Sequence, residues 1–201
     1  DSGNIGGSTS HEFHVLADSG EDEIVFSSGG NYAANIELAE GELPPLNQSG
    51  EILKHEEIDT GEAHTIADVA ALLEIDPHRM IKTLIVHGAD DEGNPCDQLV
   101  ALVLRGDQEL NELKAEKLAN VAAPFCFATD ELIVKKLGCK PGCIGPYNLP
   151  FHVIADPSVE HLENFVCGAN KPGVHFLNGN WGGDFKFDEI KDVRKVQDGD
   201  F

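Results

Sequence analysis

Two long apolar runs, MIKTLIVHG (80–88) and QLVALVLRG (98–106), constrain what this chain can fold into. Both are rich in aliphatic and β-branched residues, and DDEGNP between them is a turn signal, so they read as neighbouring strands. Continuous rather than alternating apolar strands belong to sheets covered on both faces, and helical patterns lie on either side of them. Thr65 is placed to cap a helix whose third position is Asp68, with Ile66, Val69, Ala70 and Leu73 on one face. Asp76-Pro77 ends or restarts that helix. ELNELKAEKLANV (109–121) has near-helical spacing, and Thr129 caps a further helix that stops at Gly138. FHVIAD (151–156) and GVHFLNGNW (173–181) read as strands, the latter after a GAN loop. The fold class is therefore α/β, with a mixed, curved sheet and surrounding helices.

The N-terminal part has a different texture. HEFHVLA (11–17) and EIVFS read as short strands, NYAANIELAE (31–40) as helical, and GELPPLNQSG (41–50) as a linker. The chain begins at Asp1 and ends in VRKVQDGDF, and both ends read as cuts within a longer protein.

Composition bounds the function. With 201 residues, 41% of them apolar and 25% charged, the chain can bury a core without staples. Its five cysteines are odd in number and read as reduced thiols of a cytoplasmic protein. It has neither a signal-peptide pattern nor an apolar run long enough for a membrane span. The formal charge of −22 repels phosphate, so any nucleic-acid contact has to be local or supplied from elsewhere.

The chemistry-bearing residues are few. Cys139 and Cys143 have zinc-like spacing but no second pair, and no histidine pair has metal-site spacing, so no metal is expected. GCKPGCIGPYNLP (138–150) lacks a nucleotide-binding ending. It is either a tight turn or a loop whose free N–H groups bind a carbonyl oxygen or phosphate. Lys82 interrupts an apolar strand, either as an outward residue or as a cation at a pocket mouth. His175, within VHFLN, is a satisfied core histidine or a functional one. Asp156, before Pro157, is able to cap the next turn.

Longer patterns carry a resemblance. DSGNIGGSTSHEFHVLADSGEDEIVFSSGGNYAANIELAE resembles the segment after motif 2 of bacterial-type prolyl-tRNA synthetases, and DVRKVQDGD resembles the point where that catalytic domain resumes. MIKTLIV, GDQELNELK, the loop from Gly142 to Pro146, and FVCGANKPGVHF resemble the editing domain inserted between them.

The resemblance implies three parts: residues 1–40 as a piece of class II catalytic domain, 41–185 as an editing domain of YbaK-like deacylase fold, and 186–201 as the return to the catalytic domain. The parent it implies charges tRNA(Pro) with proline, using ATP and Mg, as a homodimer. The editing domain would need no cofactor and would hydrolyse alanyl-tRNA(Pro) at the tRNA acceptor end, discriminating alanine from proline esters. Lys82, Gly142 and Gly145 would be catalytic, and Asp156, His175, Pro146 and Glu12 would bind substrate. The alternatives are a freestanding trans-editing deacylase and a non-catalytic insertion that only supports tRNA binding. Two departures from the family pattern are visible: Asp156-Pro157-Ser158 where Asp-Arg-Ser is common, and Trp181-Gly182-Gly183-Asp184 where a basic residue is common.

Overall fold

The computed structural model describes residues 23–43 and 50–201. The strand expected at 11–17, and Glu12 within it, lie outside those residues. The first described elements are strands β1 (Ile24–Phe26) and β2 (Ala33–Asn35), paired antiparallel. The helix expected over 31–40 is absent. Ser27 N–H donates to the Tyr32 carbonyl across a Gly-rich turn, which commits Ala33–Asn35 to the hairpin. The Asn35 side chain then accepts from Glu37 N–H at 2.9 Å, a local bond that competes with helix formation.

Strand β3 (Glu56–Asp59) leads to helix α1 (Ile66–Leu73). Thr65 Oγ1 accepts from Asp68 N–H and donates to Asp68 Oδ2, the reciprocal cap expected from the sequence. Asp76 caps a short 3-10 turn, Pro77–Arg79, and strands β4 (Ile81–Ala89) and β5 (Pro95–Arg105) follow as an antiparallel pair.

Helix α2 (Glu112–Glu116) is much shorter than the 109–121 pattern implied. Residues before it are held by the chain end instead: Asn111 N–H donates to the Val193 carbonyl, and Lys195 N–H to that of Glu109. Helix α3 (Asp130–Leu137) starts at Thr129 and stops at Gly138, whose φ of 76° is left-handed. Strand β6 (His152–Ala155), helix α4 (Pro157–Glu160), and strands β7 (Phe165–Lys171), β8 (Val174–Gly179) and β9 (Glu189–Ile190) complete the order. The GAN segment is part of β7, not a loop. An irregularity between Gly168 and Lys171, with Asn170 at φ 57°, gives it loop-like residues inside a strand.

Besides the β1–β2 hairpin there are two sheets. One is mixed, in the order β4-β5-β6-β9, with β5, β6 and β9 parallel. The other is antiparallel, in the order β3-β8-β7. They touch at the bridge Met80↔Val166.

β5 is buried on both faces, which is why its run is continuously apolar. On one side Ala101 and Val103 join Ile81, Ile85, Phe165, Phe176 and Phe185, and on the other Leu102 and Leu104 join Ala115, Val121 and Val193. Phe165 is fully buried, and burial of a side chain of that size stabilises by about 1.5–3 kcal/mol.

Residues on the far side of the expected 185/186 boundary also pack onto the mixed sheet. β9 pairs with β6, Asp188 N–H donates to the Val153 carbonyl, and Val193 has no exposed surface, so this segment completes the mixed sheet.

Candidate active site

Where β4 leaves β7, beyond the Met80↔Val166 bridge, a cavity of about 100 Å³ opens. Its walls are Met80, Ile81 to Leu84 of β4, the start of α1, Gly142 and Ile144 of the glycine-proline loop, Cys167 and Gly168 of β7, and His175 of β8. Small-molecule sites usually hold roughly 300–1,000 Å³, so this one suits a very small group. Most of its lining is apolar, with Ile66, Val69 and Ile144 among the side chains.

Three of the residues singled out in the sequence converge here: Lys82, Gly142 and His175. Lys82 is half-buried, and its Nζ donates to the Gly106 carbonyl at 3.4 Å. Burial lowers its ammonium pKa, while the carboxylates of Glu109 and Asp107 oppose that shift. His175 is only 4% exposed, and its Nδ1 lies 2.7 Å from Thr60 Oγ1. Burial lowers its pKa too, against a hydrogen bond with the Gly142 backbone, so a neutral imidazole faces the cavity at neutral pH.

Gly142 has to be glycine for two reasons. Its φ is 92°, and a Cβ there would sit 2.5 Å from the His64 carbonyl oxygen.

The other sequence candidates stand elsewhere. Gly145 N–H is taken by Asn170 Oδ1 at 2.9 Å, so it is not a free donor for a substrate oxygen. A Cβ on Gly145 would fall 2.0 Å from the Gly168 carbonyl oxygen, which makes its glycine a packing requirement. The Pro146 carbonyl accepts from Lys186 N–H. Asp156 has no exposed surface and is outside the cavity. One carboxylate oxygen caps α4 at Ser158 N–H and the other accepts from Val193 N–H.

Sequence reading missed Thr60 and Thr83. Thr60 supports His175, and Thr83 lines the cavity with a buried hydroxyl that has no hydrogen-bond partner among the described residues. Thr60 carries no local signal, because its partner is 115 residues away.

Cys139 and Cys143 are buried free thiols, and burial together with Cys143 pushes Cys139 up to about 11. Among the described residues no group of three or more His, Cys, Asp or Glu could hold a metal ion.

Residues 60–185, well over half the chain, match the family model of the aminoacyl-tRNA editing domain. The chain belongs to that family. Its Lys82, Gly142 and His175 all fall inside the matched span. The editing domain resembles the hypothetical protein APE2540, with 25% identity, a TM-score of 0.50, and coverage of 62% of this chain and 79% of the other. It also shares its fold with a candidate trans-editing enzyme for prolyl tRNA synthetase, at 17% identity and a TM-score of 0.51, covering 71% and 87%. A computationally designed epitope scaffold has the same fold, at 14% identity and a TM-score of 0.53. The editing domain thus acts on aminoacyl-tRNA as an ester hydrolase. Among its described residues, no helix is long and apolar enough to cross a membrane.

Proposed function

We propose that this editing domain hydrolyses tRNA(Pro) mischarged with alanine and spares prolyl-tRNA(Pro). The observation that carries the reading is the cavity of about 100 Å³ that gathers Lys82, Gly142 and His175. A synthetic site for proline rejects a smaller amino acid weakly, since each missing methylene is worth only about 1–3 kcal/mol. A second site too small for the proline ring sorts the two esters by size. In the hydrolysis, water adds to the ester carbonyl carbon and the bond to the ribose oxygen breaks. The products are free alanine and a tRNA whose terminal hydroxyl takes up the proton. Lys82 serves as a fixed positive charge near the acceptor end, and His175 as a neutral wall of the acyl pocket.

Two settings for this activity fit the family. A freestanding trans-editing deacylase fits the family match and the shared fold at least as well as a synthetase insertion does.

The test is deacylation of alanyl-, cysteinyl- and prolyl-tRNA(Pro) by the purified chain. Rapid loss of the alanyl ester with the prolyl ester intact is the expected result. Equal rates on both would overturn the size-sorting reading, and inertness towards all three would favour a non-catalytic insertion.

A further inference from the structure

Thr83 lines the cavity with a hydroxyl that the site described above does not use. The residue is 8% exposed, and its Oγ1 has no partner among the described residues. Its main chain also points away from β5 on the cavity side, as the ladder around it shows.

Ile85 uses its carbonyl to accept from Ala128 N–H, and His87 bonds Cys126 and Ala122, all off the outer edge of β4. Across the ladder, the Val103 carbonyl turns the other way, to Asp156 N–H at 2.8 Å, and Val103 is the residue opposite Thr83. Odd-numbered residues of β4 therefore direct N–H and C=O away from β5, and Thr83 is one of them. At Thr83 that edge borders the cavity, because among the described residues the bridge to β7 is at Met80, just ahead of β4.

We infer that Thr83 is the amine-binding residue of the site, its hydroxyl oxygen and main-chain carbonyl accepting hydrogen bonds from the α-amino group of the bound aminoacyl ester. This rests on the deacylase reading above. A buried hydroxyl without a partner is costly to a fold, so its retention on a cavity wall points to a polar ligand atom. An aminoacyl ester brings one such donor group close to its reacting carbonyl. The cavity supplies acceptors for it at Thr83, whereas the Lys82 ammonium is directed to Gly106 and does not compete for the same atoms. The small apolar remainder of the cavity is left for the side chain of the acyl group.

Rates on alanyl-tRNA(Pro) and on propionyl-tRNA(Pro), which is the same ester without its amino group, test the inference when compared for the wild type, Thr83→Val and Thr83→Ser. Thr83→Val should lose roughly tenfold or more on the alanyl ester, the scale of one hydrogen bond to a charged group, and little on the propionyl ester. Thr83→Ser should keep the alanyl rate. The melting temperature of Thr83→Val should equal or exceed that of the wild type, since the mutation removes an unpaired buried hydroxyl. An equal loss on both esters, or no loss on either, overturns the amine assignment.

Calorimetry with a non-hydrolysable 3′-alanylamido adenosine separates this inference from the deacylase reading. If wild type binds the amide and Thr83→Val binds it more weakly while no ester is cleaved, the amine site stands and the deacylase reading falls. If both bind it equally while esters are cleaved, the reverse holds.

Discussion

Thr60 Oγ1 and His175 Nδ1 lie 2.7 Å apart, and through this pair the residue that follows β3 sets the β8 imidazole that walls the cavity. The Thr60 hydroxyl is also 3.2 Å from the Gly173 carbonyl, so the ring is held from behind rather than by an acid. A histidine arranged in this way shapes a pocket better than it moves a proton. His175→Ala should therefore broaden selectivity toward larger acyl groups, measured as the ratio of prolyl to alanyl ester hydrolysis. A mutant that keeps its selectivity but loses one limb of the pH–rate profile would make His175 a general base instead.

The same burial sets a pH dependence of stability. The folded-state pKa of His175 is lowered, so as pH falls below the unfolded value of about 6.5 the unfolded chain takes up a proton the folded chain resists. Stability attributable to this group is complete above that pH and is lost as pH drops through the folded pKa. Melting curves between pH 7.5 and 5 should show a steeper decline for wild type than for His175→Asn, which retains a polar partner for Thr60.

Lys82→Ala should nearly abolish editing while leaving the fold intact. Removal of a preorganised electrostatic group costs on the order of a hundredfold in rate or more. Its only side-chain hydrogen bond, among the described residues, is a long one to Gly106, so circular dichroism and melting should change little. A folded variant that edits at the wild-type rate would remove Lys82 from the mechanism.

Asp156→Ala should do the opposite. Both carboxylate oxygens are spent on main-chain N–H groups, one at the α4 cap and one at Val193. Losing the cap costs about 1 kcal/mol, and leaving buried N–H groups unpaired adds about 1–3 kcal/mol. The expected signature is a clearly lower melting temperature with acyl selectivity unchanged at temperatures where the protein stays folded.

Gly142→Ala should be destabilising and inactive together. The alanine would pay left-handed strain of about 1–3 kcal/mol, and its Cβ would also meet the His64 carbonyl. Thermal unfolding, read beside the deacylation rate, checks that both losses appear in one variant.

Much of this architecture was legible in the residues themselves. Thr65, Asp76, Thr129 and Gly138 each announce a helix end through chemistry confined to a few neighbours, and each does so in the structure. The two long strands were legible because both faces of β5 are covered. What failed was set by distant partners. Tyr32 and Ser27 turn an apparent helix into a hairpin, and residues 193–195 capture the start of the 109–121 segment. Lys82 was visible as a charge in an apolar strand. Thr83, its neighbour, looked like an ordinary β-former, because only the departure of β7 turns its edge into a cavity wall. Asp156 was read both as a cap and as a pocket residue, and the cap reading is the one its hydrogen bonds support.

The contact between Gly145 and Gly168 bears on how this domain can drift. The side chain that Gly145 lacks would collide with a main-chain carbonyl, and the one that Gly168 lacks would collide with the main chain of Cys143 and Ile144. A clash with another side chain can be relieved by trimming that neighbour, but a clash with backbone has no such second-site remedy. In a saturation library scored only by activity, Gly145 would thus rank with the catalytic residues even though it does not line the cavity and its N–H is already used. Intolerance at that position would measure how closely two stretches of backbone run, and a parallel screen for folded protein would reveal it.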